Sequence, residues 1–307
     1  MLFRSIVVGL GEVLWDVYDD QALFGGAPAN FACHAANLGA EARIVSAVGR
    51  DKLGTDALAW MSKHHLSTEW VAVDDARPTG TVRVSLDSFG TPQYVFARNV
   101  AWDALPCPPS WLETAAICQA VCFGSLAQRS PLSCESIHRF LEHTQASCLR
   151  VFDVNLRQDY YSAGVLLRSL QRSNVLKLNH EELPIVADTL GLTEPRPGSH
   201  VSDPREERGW CQAIADRFEL RCIALTRGPK GSDVWLDGDW DYQGSCKIDA
   251  VDTVGAGDAF SAALIMGILS KRDLPTIHSQ AAKIAAYVCT QRGAVPRLPD
   301  ELKYSRC

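Results

Sequence analysis

The run D-T-V-G-A-G-D-A-F-S-A-A-L occupies residues 252–264. Gly255, Ala256 and Gly257 allow a tight backbone turn and close approach to a ligand, and an apolar helical pattern starts directly behind them. Exposed N–H groups and the dipole at such a helix start make an anion site, suited to a phosphoryl group that gains charge. Asp258 falls in the first turn, where the same dipole favours its ionised form. An ionised carboxylate beside a phosphate cradle accepts a proton from an attacking hydroxyl. A first-turn Asp is also a common helix-start residue. The two flanking glycines and the small residues behind Asp258 favour the chemical role.

This glycine turn and helix form one unit of an alternation that runs the length of the chain. Strand patterns are expected at 6–10, 43–48, 70–73, 120–123, 149–154, 175–178, 222–226 and 246–251, and helical patterns at 28–38, 55–64, 131–145, 163–171, 207–218 and 256–269. Apolar strands interleaved with helices imply an α/β fold, a mostly parallel sheet covered on both faces. Its ligand crevice then lies at the C-terminal strand ends. Residues 81–87 and 93–98 break the alternation. Their period-2 pattern around a turn at Ser88-Phe89-Gly90 reads as an antiparallel hairpin, completed by short strands near 13–24. A small second sheet of this kind is either decoration or a lid. The polar, Pro-rich stretch 193–208 reads as an exposed loop.

The chain has 307 residues, 47% hydrophobic and 21% charged, which fits one large domain, 1–307. A net charge of -6 without basic runs argues against a nucleic-acid partner. No stretch reaches the ~20 apolar residues needed to span a bilayer. The N-terminus lacks the longer apolar core of a secretory signal. Eleven cysteines are scattered without a C-x-x-C, the nearest pair being Cys118 and Cys122, and read as reduced thiols of a cytoplasmic protein.

A second motif, G-G-A-P-A-N-F-A-C-H-A-A-N-L-G, spans 25–39. Gly25 and Gly26 permit close backbone approach, Pro28 suits a first helical turn, and the Asn30 amide can donate to and accept from sugar hydroxyls. Gly9 and Gly11 after the first strand raise a dinucleotide reading. The third glycine and a helix start are missing there, and no G-x-x-x-x-G-K-[ST] loop occurs.

With both motifs in hand, the chain resembles the ribokinase-like, or phosphofructokinase-B, carbohydrate kinases over nearly its whole length. The G-G-x-x-x-N pattern falls on Gly25, Gly26 and Asn30, and D-T-x-G-A-G-D on Asp252 through Asp258. G-E-V-L-W-D places Asp16, N-x-x-E supplies Asn179 and Glu182, and T-R-G-P-K-G supplies Thr226, Gly228 and Gly231. The resemblance implies a three-layer αβα sandwich with a small β-sheet lid at about 12–26 and 79–103. It implies a sugar held by Asp16, Gly25, Gly26 and Asn30, and an ATP site at Asn179, Thr226, Gly228, Gly231, Gly255 and Gly257. Asp258 would be the base, with Gly255, Ala256 and Gly257 as the cradle. Mg²⁺ would be organised by Asn179 and Glu182, partly through water. Relatives of this kind are often activated by K⁺, whose counterpart positions are Asp252 and the carbonyls of Val254, Val288, Gln291 and Gly293.

D-V-N-L-R at 153–157 resembles a run of fructokinases and 2-keto-3-deoxygluconate kinases, bringing Asp153 toward the metal and Asn155 and Arg157 toward phosphates. Fructose is the leading acceptor. Arg98 on the hairpin, if it reaches the crevice, would pair with a substrate carboxylate such as that of 2-keto-3-deoxygluconate, and Trp102 and Asp103 would shape the pocket. A ribokinase fits less well, because 126–131 offers Arg129 where those enzymes have a glutamate. A nucleotide-binding regulator without catalysis is the reading from another class, and a homodimer paired through the lid is a further expectation.

Overall fold

The computed structural model describes residues 5–86, 92–192 and 204–303. The chain opens with β1 (Ile6–Leu10), β2 (Leu14–Val17), β3 (Ala22–Gly25), α1 (Ala27–Asn37), β4 (Glu41–Gly49), α2 (Lys52–Lys63) and β5 (Val71–Asp74). The hairpin β6 (Gly80–Leu86) and β7 (Pro92–Phe96) follows, then α3 (Pro109–Ile117), β8 (Ala120–Gly124), α4 (Pro131–Glu142), β9 (Leu149–Asp153) and α5 (Ala163–Arg172). The last part holds β10 (Val175–Asn179), α6 (Glu182–Thr189), α7 (Pro204–Phe218), β11 (Cys222–Thr226), β12 (Ser232–Leu236), β13 (Asp239–Gln243), α8 (Ala256–Leu269) and α9 (Leu274–Cys289).

The main sheet has the order β13-β12-β11-β10-β9-β8-β1-β4-β5 and is parallel except where β12 and β13 pair antiparallel at one edge. Alternate residues of most of its strands feed two cores, while Ile44, Val48 and Val71 of β4 and β5 join a third beside α2. Val7, Cys122, Val151 and Ala224 face α1, α8 and α9, while Val8, Phe123, Phe152 and Leu225 face α3 to α7. This two-sided burial explains the unbroken apolar runs. It makes the main body the three-layer αβα sandwich of the ribokinase-like fold. Fully buried Trp111 on α3 illustrates the stake: truncation to Ala would cost about 3–5 kcal/mol.

The second sheet, β3-β2-β6-β7, stands apart, with β2 parallel to β6 and its other pairs antiparallel. The expected turn at Ser88-Phe89-Gly90 lies outside the described residues. Gly9 and Gly11 serve packing. A Cβ on Gly9 would come within 1.9 Å of the Pro28 carbonyl oxygen, so the glycine lets α1 settle against β1.

Two expectations need correction. Residues 246–251 form no strand; Cys246, Ile248 and Ala250 line a cleft instead. The sheet edge is built by β12 and β13, joined at Asp237-Gly238 with both φ angles positive, a two-residue hairpin turn. The stretch taken as loop up to 208 already belongs to α7 from Pro204, because Glu207 is buried against Arg227. Among the described residues, no helix is long and apolar enough to cross a membrane.

Candidate active site

The C-terminal ends of β1, β9, β10 and β11 meet the N-termini of α1 and α8 along one edge of the main sheet. Two cavities of about 560 and 550 Å³ open there and share three lining residues, Thr226, Thr253 and Gly257. The first lies toward the small sheet and is walled by Glu12, Asp16, Gly26, Asn30, Asn179, Glu182 and Asp258, with Val82, Tyr94 and Phe96 from the hairpin. The second is mostly apolar, lined by Gly228, Gly231, Ile248, Phe260, Ala282 and Ala286 among others. A polar chamber and an apolar slot therefore join at the glycine turn that opens α8.

Gly255 caps α8 at φ 80°, and a Cβ there would lie 2.3 Å from the Ala294 carbonyl oxygen, so only glycine fits. Gly26, at φ 113°, is held equally close to the Glu12 carbonyl at the start of α1. These two turns bring the helix starts together. Asn30 Nδ2 donates to Asp258 Oδ2 at 2.9 Å, linking residues 228 positions apart. Among the described residues, no donor meets the buried acceptors Asn30 Oδ1 and Glu12 Oε2. Buried polar atoms left this way call for partners, and the hydroxyls of a bound sugar supply donors.

The first cavity is acidic. Burial, aided by the negative charge of Asp153, raises the Asp258 carboxyl to about 6 despite its first-turn position. The expected dipole effect is thus outweighed. Burial likewise raises Asp16 to about 6 and Glu12 to about 7. A carboxylate near 6 is ionised at neutral pH yet a stronger base than an ordinary Asp.

The sequence profile of the pfkB family carbohydrate kinases matches residues 11–301. The chain belongs to that family. Among curated proteins, a putative sugar kinase of Pyrococcus horikoshii is 28% identical over 324 residues, covering 99% of this chain and 96% of its own. Its structure in complex with ATP superposes with a TM-score of 0.75 at 26% identity, covering 94% of both chains. The fructokinase of Escherichia coli is 28% identical over 294 residues, 90% of this chain and 88% of its own. A 2-dehydro-3-deoxygluconokinase of Thermotoga maritima shares the fold, with a TM-score of 0.82 at 19% identity over 96% and 97% of the two chains.

The site of this pfkB kinase gathers most of the residues the motifs single out. Gly25 borders the chamber indirectly: a Cβ there would stand 2.9 Å from Asp16 Oδ2. Gly228 and Gly231 take positive φ of 53° and 91° at the apolar slot. Glu182 Oε2 accepts from the Asn179 N–H at 2.8 Å and Oε1 from the Leu156 N–H at 2.9 Å. Each Glu182 carboxylate oxygen keeps a lone pair and so fits a hydrated divalent metal, whereas Asn179 Oδ1 already accepts from the Glu181 and Glu182 N–H groups at 2.8 and 2.9 Å and leaves its NH₂ to donate. Asp252 accepts from the Val254 and Gly293 N–H groups, both at 3.0 Å, and the Val288 carbonyl accepts from the Gln291 N–H. These contacts tie together the loop segments named for K⁺.

Arg98 does not join this assembly. It lines a separate recess with Arg77 and Arg129, its Nε toward the Tyr160 hydroxyl, while Arg157 stands at the chamber instead. Trp102 is buried in the core, and Asp103 pairs with Arg129 at 2.8 Å, so both brace the hairpin. Glu12 and Lys177 line the chamber although no motif reading pointed to them. Glu12 is the middle of G-E-V, and its only signal is an acid directly after an apolar strand. Lys177 is the lone charge in V-L-K-L-N, a cation inside a strand buried on both sides.

Proposed function

We propose that this sugar kinase transfers the γ-phosphoryl group of ATP to a primary hydroxyl of a small sugar, with fructose as the leading acceptor. The observation that supports it most is Asp258 in the polar chamber, next to Gly257 where the two cavities join, raised to about 6 and held by Asn30. Asn30, Asp16 and Glu12 bind the sugar by its hydroxyls. Asp258 takes the proton from the attacking hydroxyl. The N–H groups from Gly255 to Gly257 receive the charge that develops on the phosphoryl oxygens. Adenosine fills the apolar slot between Gly228, Gly231 and the 246–250 segment. Mg²⁺ is the divalent ion of this reading, held through water by Asn179 and Glu182, and it would offset the phosphate charge. K⁺ is assigned to the loop clamped by Asp252, where it would order the cradle; a rate indifferent to a tenfold K⁺ titration removes that assignment.

The small sheet acts as a lid, excluding water that would otherwise compete as acceptor. Its edge strand β7 exposes Tyr94 and Val95, the surface through which a homodimer would pair.

A second acceptor, 2-keto-3-deoxygluconate, is favoured by one feature. Arg157 is exposed at the acidic chamber and is the cation there able to meet a substrate carboxylate. The test is ADP release with fructose, 2-keto-3-deoxygluconate, ribose, tagatose and adenosine. Fructose turnover above the others supports the first reading. Preference for 2-keto-3-deoxygluconate that Arg157→Ala abolishes supports the second. Turnover with ribose alone points to a ribokinase, turnover with adenosine alone overturns the sugar assignment, and no turnover with any acceptor favours a silent nucleotide binder.

A further inference from the structure

The charge around the cradle presents a problem for phosphoryl transfer. Glu12, Asp16, Asp153, Glu182 and Asp258 crowd the region, and the N–H groups of a helix start offer only partial charges. A phosphoryl group passing between Asp258 and the apolar slot would meet mostly repulsion from the chain's own side chains, beyond what a divalent ion at Glu182 would offset. Lys177 is the buried cation at this point. Its place follows from strand register: β10 lies parallel to β9 with Lys177 opposite Asp153, and Nζ donates to Asp153 Oδ1 at 3.0 Å. Asp153 Oδ2 also accepts from Ser261 Oγ at 3.3 Å, on α8 behind the cradle. The carboxylate is thereby fixed, and it fixes the ammonium.

An ammonium carries three donors. Asp153 takes one. The same nitrogen lies 3.0 Å from where a Cβ on Gly257 would stand, against the residue that joins the two cavities. Glycine at 257 leaves the cation next to the path of the phosphoryl group.

We propose that Lys177 is a catalytic residue whose Nζ donates to an oxygen of the phosphoryl group in flight, supplying the full positive charge that the cradle amides lack. The assignment rests on the kinase reading. As the bond from the sugar oxygen to phosphorus forms, the bond from phosphorus to the bridging oxygen of ADP breaks. The hydroxyl proton passes to Asp258, and Lys177 keeps all its protons. Because charge shifts onto those oxygens during transfer, the contact strengthens in the transition state and acts on turnover more than on affinity.

The competing explanation is that Lys177 only neutralises buried Asp153. The experiment compares wild type, Lys177→Met, and the double variant Asp153→Asn/Lys177→Met, which removes both charges and leaves none buried unpaired. Each is assayed for fructose phosphorylation and for binding of ADP alone and of ADP with aluminium fluoride and fructose. We expect Lys177→Met to lose about 10²–10³ in kcat, the range for removing one preorganised donor, with KM values within about threefold. The double variant stays equally slow, and both bind ADP normally while losing the tighter aluminium fluoride complex. Recovery of wild-type turnover in the double variant, or unimpaired aluminium fluoride binding, overturns the proposal. Should Lys177→Met fail to fold, the double variant decides alone. A wild-type chain that phosphorylates no sugar overturns the kinase reading and this assignment with it; an active wild type with an equally active double variant overturns only this one.

Discussion

Replacing Asp258 by Asn changes almost nothing except the ability to accept a proton. The amide has nearly the shape of the carboxylate, and its oxygen can still accept from Asn30 Nδ2 in place of Oδ2, the present 2.9 Å contact. Its NH₂ then faces the sugar, where a donor cannot take a proton. Loss of a general base typically costs 10²–10⁴ in rate. The Asp258 carboxyl near 6 lies far above water as a base, so the middle of that range, about 10³, is expected. That loss corresponds to about 4 kcal/mol on the barrier. Stability should not fall, because the substitution also removes a negative charge that faces Asp153. The assay is coupled ADP release at saturating ATP with fructose varied, beside calorimetric fructose binding and a thermal melt. The expected outcome is kcat down about a thousandfold, sugar affinity within a few-fold and Tm unchanged or higher. Turnover within fivefold of wild type, or a loss confined to KM, refutes the role of Asp258.

The pH dependence carries the same signature. Asp258 and Asp16 both titrate near 6, so log kcat/KM should fall with a slope between about one and two below that pH and level off above it; a flat profile down to pH 4.5 contradicts this. Asn30→Ala removes a buried amide from the chamber, and fructose KM should rise about tenfold, the equivalent of one hydrogen bond, while an unchanged KM argues against contact. Glu12 tests stability. Its carboxyl is raised from 4.5 to about 7 in the fold, so its contribution is intact below 4.5 and lost as pH rises through 7, by about 3 kcal/mol. Glu12→Gln should therefore gain on wild type in urea unfolding at pH 8 relative to pH 5; an equal difference at both pH values would show that Glu12 ionises freely.

Much of the site is legible locally. Gly255 of D-T-V-G-A-G-D takes a φ angle that other residues avoid, and Gly26 of G-G-x-x-x-N marks the start of α1 by the same logic. What the two motifs do jointly is not local. Asn30 reaches Asp258 only because α1 packs against both β1 and α8 in one core, a consequence of the whole sheet. The K-I-D-A-V run at 247–251 alternates like a strand, yet the sheet edge is already occupied by β12 and β13, and Val251 remains exposed. That edge was readable: D-G at 237–238 between alternating residues is a hairpin signal. Lys177 was hidden for a different reason. Inside V-L-K-L-N it looks like an interruption of a strand, and its meaning depends on the register that sets it against Asp153. Arg98 misses the crevice because residues beyond the end of β7 turn toward a separate recess, a direction that period-2 counting does not extend to.

In the proposed reaction, phosphorus moves from ATP to a carbon-bound oxygen. Phosphorus NMR of a reaction with ATP, Mg²⁺ and fructose follows that atom directly. A new phosphomonoester signal split by the two protons of a –CH₂–O–P group, growing in step with ADP, is the predicted result. ATP converted to ADP and inorganic phosphate with no phosphomonoester signal, across every sugar offered, would contradict it.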